Sequence, residues 1–318
     1  MGLIHTVCGD LSPAALGHCQ IHEHIFVRPT PMAEKNPALC FEDFDRSLRE
    51  LRDYKAGGGS FLADAQPVAA GRDAAVLRQL SQESGIVLVA STGYHLLGFY
   101  AENCWVHGLD EEGLYALYRS EVEQGMLPYD PDPARRPIGR TQIRAGMVKA
   151  AIPREGAAGR YEVLLRAAAR AAADTGTPLM LHTERGENAL GAIRLCQALG
   201  VRPEKLVVCH ADRQAEQFAP HEALAATGVY LDYDTIGRFR YHSDEAEIAL
   251  LRHMTQLGYG AQILLALDTT AARLGAYGGE LSLRYLLDDF LPRLRREGFD
   301  PTALDLFTRD NCRQLFAD

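Results

Sequence analysis

The 318-residue chain reads as an α/β protein folded into a single (β/α)8 barrel over residues 1–318. Three observations predict this. Short apolar runs alternate with longer amphipathic, alanine- and leucine-rich stretches, eight times over. Several of the short runs are apolar without interruption, such as Ile86-Val87-Leu88-Val89-Ala90, as parallel strands buried on both faces require. No interior Gly/Ser/Pro linker divides the chain, and no repeat stands out beyond the alternation itself.

Each unit has its own signature. The first strand, 19–25, carries Gln20-Ile21-His22-Glu23-His24-Ile25, and a helical pattern follows over 42–56. Strand 60–64 leads to helix 72–84, strand 86–91 to helix 109–124, and strand 143–149 to helix 158–175. That fourth helix carries apolar residues at helical spacing from Tyr161 to Thr175 and stops at Gly176, with Pro178 opening strand 178–182. Helix 187–199 ends at Gly200 before Pro203, ahead of strand 206–210 and helix 214–227. Strand 228–232 with helix 243–258, and strand 262–268 with helix 280–297, complete the count. The proline-rich 125–142 stretch reads as a long loop before the fourth strand, and 301–316 as short helices closing the barrel floor.

Bulk composition narrows the function. A net charge of −9 and a pI of about 5.7 leave no broad basic field for nucleic acid. The seven cysteines are odd in number and scattered without a C-x-x-C pair, which argues against a disulfide framework and fits a reducing compartment. There is no basic-then-apolar leader pattern and no run of 18 apolar residues. A cytoplasmic protein with a small-molecule substrate is expected, with no nucleic-acid or membrane partner and with a homodimer left open.

Barrel active sites form where strands end and βα-loops begin. Here the strand ends read His22-Glu23-His24, Val148-Lys149, Leu181-His182, Cys209-His210 and Leu267-Asp268. Taken singly, a histidine ending an apolar strand is a hydrogen-bonded boundary residue, Lys149 a rim side chain, and Asp268 a helix cap. Together they place every ligand-type residue at one mouth. Imidazoles and a carboxylate suit zinc, manganese, cobalt or iron. A lysine shielded between two cations has a lowered pKa and can add carbon dioxide, giving a carbamate that bridges both ions. Two ions can also hold a hydroxide near neutral pH, with Asp268 accepting the proton of the attacking water.

This ordered set resembles the phosphotriesterase family of the amidohydrolase superfamily from about residue 5 to 316. Supporting segments are Leu16-Gly17, Gly71-Arg72-Asp73, Ser91-Thr92-Gly93-Tyr94, Ala145-Gly146-Met147-Val148-Lys149 and Asp310-Asn311. The resemblance implies a binuclear centre. His22, His24 and Asp268 would hold the more buried metal and His182 and His210 the more exposed one, with carboxylated Lys149 and a hydroxide bridging.

The loops His182-Thr183-Glu184-Arg185-Gly186 and Leu231-Asp232-Tyr233-Asp234-Thr235-Ile236-Gly237-Arg238-Phe239-Arg240-Tyr241 look more like the branch acting on sugar lactones, including phosphorylated ones, than the organophosphate-hydrolysing branch. Arg185 and Arg238 are expected to grip a phosphate or carboxylate, and Tyr233 and Asp234 to meet sugar hydroxyls. His95, with Trp105 nearby, would wall the pocket, whereas Arg240 reads as a solvated loop charge. Cys209 is expected to point away from His210 as a buried small hydrophobe. Three alternatives stand beside a lactonase: an organophosphate triesterase, a mononuclear deaminase-type barrel, and a barrel that only binds a small molecule.

Overall fold

The computed structural model describes residues 2–317. An N-terminal hairpin, β1 (Ile4–Thr6) and β2 (Gly9–Leu11), precedes eight parallel strands. These are β3 (His18–Glu23), β4 (Gly59–Asp64), β5 (Val87–Gly93), β6 (Met147–Ala151), β7 (Leu179–His182), β8 (Leu206–Cys209), β9 (Tyr230–Tyr233) and β10 (Ile263–Leu265). They follow one another in chain order around the sheet. Its two ends meet where the Asp268 N–H donates to the His22 carbonyl at 3.0 Å. The result is a nearly closed (β/α)8 barrel, as the alternation of apolar runs and amphipathic stretches predicts.

Helices wrap the outside. After the short α1 (Pro31–Lys35) come α2 (Phe44–Ala56), α3 (Ala74–Ser84), α4 (Glu111–Glu123), α5 (Arg160–Thr175), α6 (Ala189–Ala198), α7 (Phe218–Ala225) and α8 (Asp244–Gln256). Asp43, Asp73, Asp110 and Ser243 cap α2, α3, α4 and α8 by accepting a backbone N–H of the first turn. Gly176 ends α5 at φ +67°, a left-handed conformation that a Cβ would penalise. The α7 helix is shorter than the expected 214–227, because Ala211–Gln214 tightens into a 3-10 turn at the mouth.

The last helical stretch differs from expectation at its start. A 3-10 turn, Gly275–Tyr277, and a loop containing Gly278 and Gly279 come first, and a π-helical segment, Leu286–Phe290, runs into α9 (Leu291–Arg296). Pro292 explains the widened turn, since it lacks an N–H and its ring crowds the carbonyl four residues back. The floor is closed by α10 (Pro301–Asp305) and α11 (Asn311–Phe316). Leu315 and Phe316 join an interior cluster with Ile21, Phe61, Val89, Met147, Met180 and Val207, and the Phe61 and Phe316 rings lie 5.4 Å apart. A larger cluster fills the layer between strands and helices. No helix among the described residues is long and apolar enough to cross a membrane.

Candidate metal centre

At the C-terminal mouth the structure brings together His22, His24, Lys149, His182, His210 and Asp268. The first pair depends on an irregularity. The register of β3 against β4 shifts between Gln20 and Glu23, so Ile21 packs in the interior cluster while His22, one residue on, also turns inward. His24 lies just past the strand, with its ring 5.7 Å from that of His22. Asp268 faces both: its Oδ1 is 3.4 Å from His24 Nε2 and 3.8 Å from His22 Nε2.

The second pair sits beside the first. His182 Nδ1 and His210 Nε2 are 2.9 Å apart. His210 reaches this position from a left-handed backbone at φ +62°, and Asp268 holds φ +46°. Non-glycine residues pay for such conformations, and they cluster where a side chain must be aimed. Cys209 is fully buried in an apolar cluster, as expected of a small hydrophobe. Because His210 leaves the strand, alternation no longer separates the two, and Cys209 faces the barrel interior beneath the site. Burial, with the neighbouring carboxylates, pushes its thiol well above the usual range.

Asp234 fixes the imidazoles from below. Its fully buried carboxylate accepts from His22 Nδ1 at 2.8 Å and His210 Nδ1 at 2.6 Å. Each ring therefore carries its proton on Nδ1 and turns a bare Nε2 toward the mouth, the arrangement metal-ligating histidines show. His210 Nε2 faces His182 Nδ1, and His22 Nε2 has no protein hydrogen-bond partner. Lys149 is fully buried, and its Nζ has no hydrogen-bond partner. Burial lowers the Lys149 pKa from its usual range and lowers that of His182 to about 4, which keeps the imidazole neutral. Burial alone would raise the Asp268 carboxyl; Arg238 and His24 outweigh it and hold the carboxyl well below the usual range. Four imidazoles, one carboxylate and one orphaned lysine amine fit a pair of divalent ions.

The remaining predicted residues divide. His95 lines the mouth cavity of about 310 Å³, its ring 5.0 Å from His182 and stacked on Phe99. Arg238 reaches the site, donating to the Asp268 carbonyl and standing 3.1 Å from its Oδ2. Asp234 is present as the histidine clamp, not as an open contact for a sugar hydroxyl. Tyr233 is excluded from the mouth: adjacent strand residues face opposite sides, and its buried ring packs outward against His221. Arg185 is exposed and lies outside the cavity lining, with its carbonyl held by Gln214.

Sequence reasoning missed Arg213, Asp64 and Asp232. Arg213 is buried over the Tyr241 ring, with Nη2 3.5 Å from Asp268 Oδ2. Its position three residues past His210 was the available signal. Asp64 ends β4 and accepts from the N–H of Ile25, bracing the backbone beside His24. Asp232 lies two residues before Asp234 on β9, its Oδ2 3.6 Å from His22 Nδ1. Arg240, expected to be a solvated charge, is exposed and also contributes to the cavity wall.

The chain is similar to known proteins over nearly its whole length. The chain is 28% identical to the phospho-furanose lactonase of Mycoplasmopsis synoviae (strain 53), over 98% of this chain and 91% of that protein. A lactonase structure from Listeria monocytogenes superposes with a TM-score of 0.89 at 26% identity, covering 99% of both chains. The phosphotriesterase homology protein from Escherichia coli, solved with phosphate in its active site, gives a TM-score of 0.85 at 28% identity, over 96% of this chain and all of that one. The family model described as the phosphotriesterase family matches residues 2–316, and the chain belongs to that family.

Proposed function

We propose that this protein is a metal-dependent hydrolase of a sugar lactone, with a phosphorylated furanose lactone as the favoured class. The observation that carries the reading is the mouth itself: two histidine pairs, an orphaned Lys149 amine and Asp268, rimmed by Arg213, Arg238 and Arg240. We take the ions to be zinc and Lys149 to be carboxylated. Two such ions, when bound, acidify a water and polarise a carbonyl.

The chain's own groups do the rest. Asp234 holds the His22 and His210 rings in one tautomer. Arg213 and Arg238 keep Asp268 ionised, so it can take the proton of the attacking water. The water oxygen adds to the lactone carbonyl carbon, the ring C–O bond breaks, and that proton passes through Asp268 to the departing alkoxide. His95 and Phe99 form a wall that orients the sugar ring. The arginine rim matches an anionic substituent on the substrate better than it matches a neutral triester. The lactonase relative and the phosphate held by the Escherichia coli relative support the same class. All seven cysteines are free, in keeping with a cytoplasmic setting.

The test is a turnover comparison on the zinc-loaded protein. Phosphorylated furanose lactones are expected to exceed their unphosphorylated counterparts in kcat/KM by at least about tenfold, the size of one charge-assisted contact. Neutral organophosphate triesters are expected to be poorer still. A triester turned over faster than any lactone would overturn the reading.

A further inference from the structure

A second group of buried ligand-type side chains lies behind the mouth. Asp212 comes from the 3-10 turn after β8, His242 from the end of the β9–α8 loop, and Glu247 from the first turns of α8. Asp212 and Glu247 are fully buried and His242 is 7% exposed. His242 Nε2 stands 3.6 Å from Asp212 Oδ2 and 3.5 Å from Glu247 Oε2. Those separations are too long for hydrogen bonds. They match the edge of a tetrahedron around a zinc-sized ion, about 3.3–3.6 Å for bonds of about 2.0–2.2 Å. The family's own ligand set is spaced in the same way, with Asp268 Oδ1 at 3.4 and 3.8 Å from His24 and His22.

Two independent features point to an occupant. Both Glu247 oxygens and Asp212 Oδ1 are buried without a hydrogen-bond partner, although a buried carboxylate oxygen is costly to leave bare. His242 Nδ1 lies 3.2 Å from the Ser243 carbonyl, and with its proton on that nitrogen Nε2 would present a lone pair to the two carboxylates. A proton on Nε2 would instead be served by the Thr235 hydroxyl at 3.1 Å, and both Glu247 oxygens would stay unsatisfied. A divalent cation serves all three side chains at once.

We propose that Asp212, His242 and Glu247 bind a further divalent cation of zinc-like size, separate from the mouth. Its place gives it a structural task. Asp212 follows His210 and precedes Arg213, and the loop from Thr235 to His242 carries Arg238, Arg240 and Tyr241. The ion ties that loop to the turn bearing His210 on one side and to α8 on the other.

The test is a metal count that does not depend on activity. Chelator-stripped wild type, E247Q and H242Q are reloaded with zinc, desalted, and measured by elemental analysis. Wild type is expected to retain one more ion per chain than either variant, and the 235–242 loop of both variants to be cut faster by protease. Equal counts in all three proteins would overturn the proposal, leaving a His242 proton as the occupant. Should either variant fail to fold, anomalous scattering from wild-type crystals at the zinc edge decides instead. A peak among Asp212, His242 and Glu247 supports the site and its absence overturns it.

Discussion

At the scale of single residues, the mouth depends on groups that do not themselves face substrate. Asp234 is the clearest case, since one carboxylate orients an imidazole from each histidine pair. In Asp234→Asn one acceptor oxygen becomes a donor that cannot receive an imidazole N–H. Metal affinity is expected to fall about 10–100-fold, read by competition with a chromophoric chelator, while the fold persists. Lys149→Ala tests a different link. Removing the bridging candidate is expected to leave at most one tightly held ion in the mouth and to abolish lactone turnover; unchanged metal content and activity would refute the two-ion reading. The ligand-type residues were legible in the sequence because each lies in or shortly after an apolar run that forms a barrel strand. Tyr233 was misplaced because it was paired with its neighbour Asp234, although a period of two puts them on opposite faces. Arg185 was misplaced for another reason. Long side chains on loops take their direction from tertiary packing, which no local pattern encodes.

Among the elements, two joints hold the strands that carry the site. Arg72, after β4, makes a paired contact with Glu121 of α4 at 2.7 and 2.8 Å, and Thr92 of β5 donates to the same carboxylate. All of this is buried, so Glu121→Ala would strand a guanidinium in the interior. A loss of about 3–5 kcal/mol in urea unfolding is expected. Burial alone would raise the Glu121 pKa, but Arg72 and the Thr92 hydroxyl outweigh it and hold it below 4.5. A depressed carboxylate pKa contributes stability above the unfolded value and loses it as pH falls through the folded value. Wild-type stability should therefore drop as pH falls below about 4.5, and Glu121→Gln should flatten that drop.

The second joint is Gly93, at φ +97°, where a Cβ would lie 1.9 Å from the Lys149 carbonyl oxygen. Gly93→Ala is expected to push β6 away from β5 and to impair metal loading even if the protein folds, measured as ions retained per chain. Element order and most boundaries could be read from periodicity and caps. The π-helical segment before α9 could not, because Pro292 signals a disturbed helix without saying whether the chain breaks or widens its turn.

For the whole molecule, the barrel's two ends serve different purposes. The mouth gathers polar groups, and the floor is plugged by the interior cluster with Leu315 and Phe316. Phe316→Ala would empty the plug and is expected to cost about 3–5 kcal/mol with little change in ion number, seen as a lowered Tm at constant metal content. The eightfold alternation and the tail helices were visible in the sequence. The cluster of Asp212, His242 and Glu247 was not, since its members come from a turn, a loop and a helix whose approach only the closed barrel creates.

That closure occurs between β3 and β10, where the Asp268 N–H meets the His22 carbonyl and Glu23 receives the N–H groups of Leu267 and Thr269. The joined residues are about three quarters of the chain apart, so this contact carries a large loop-closure entropy and is expected to form late on refolding. In the proposed centre His22 and Asp268 would also share one ion. Uptake of that ion should therefore trail the appearance of helical signal in a refolding experiment, and its binding energy would act as a latch on the closed ring.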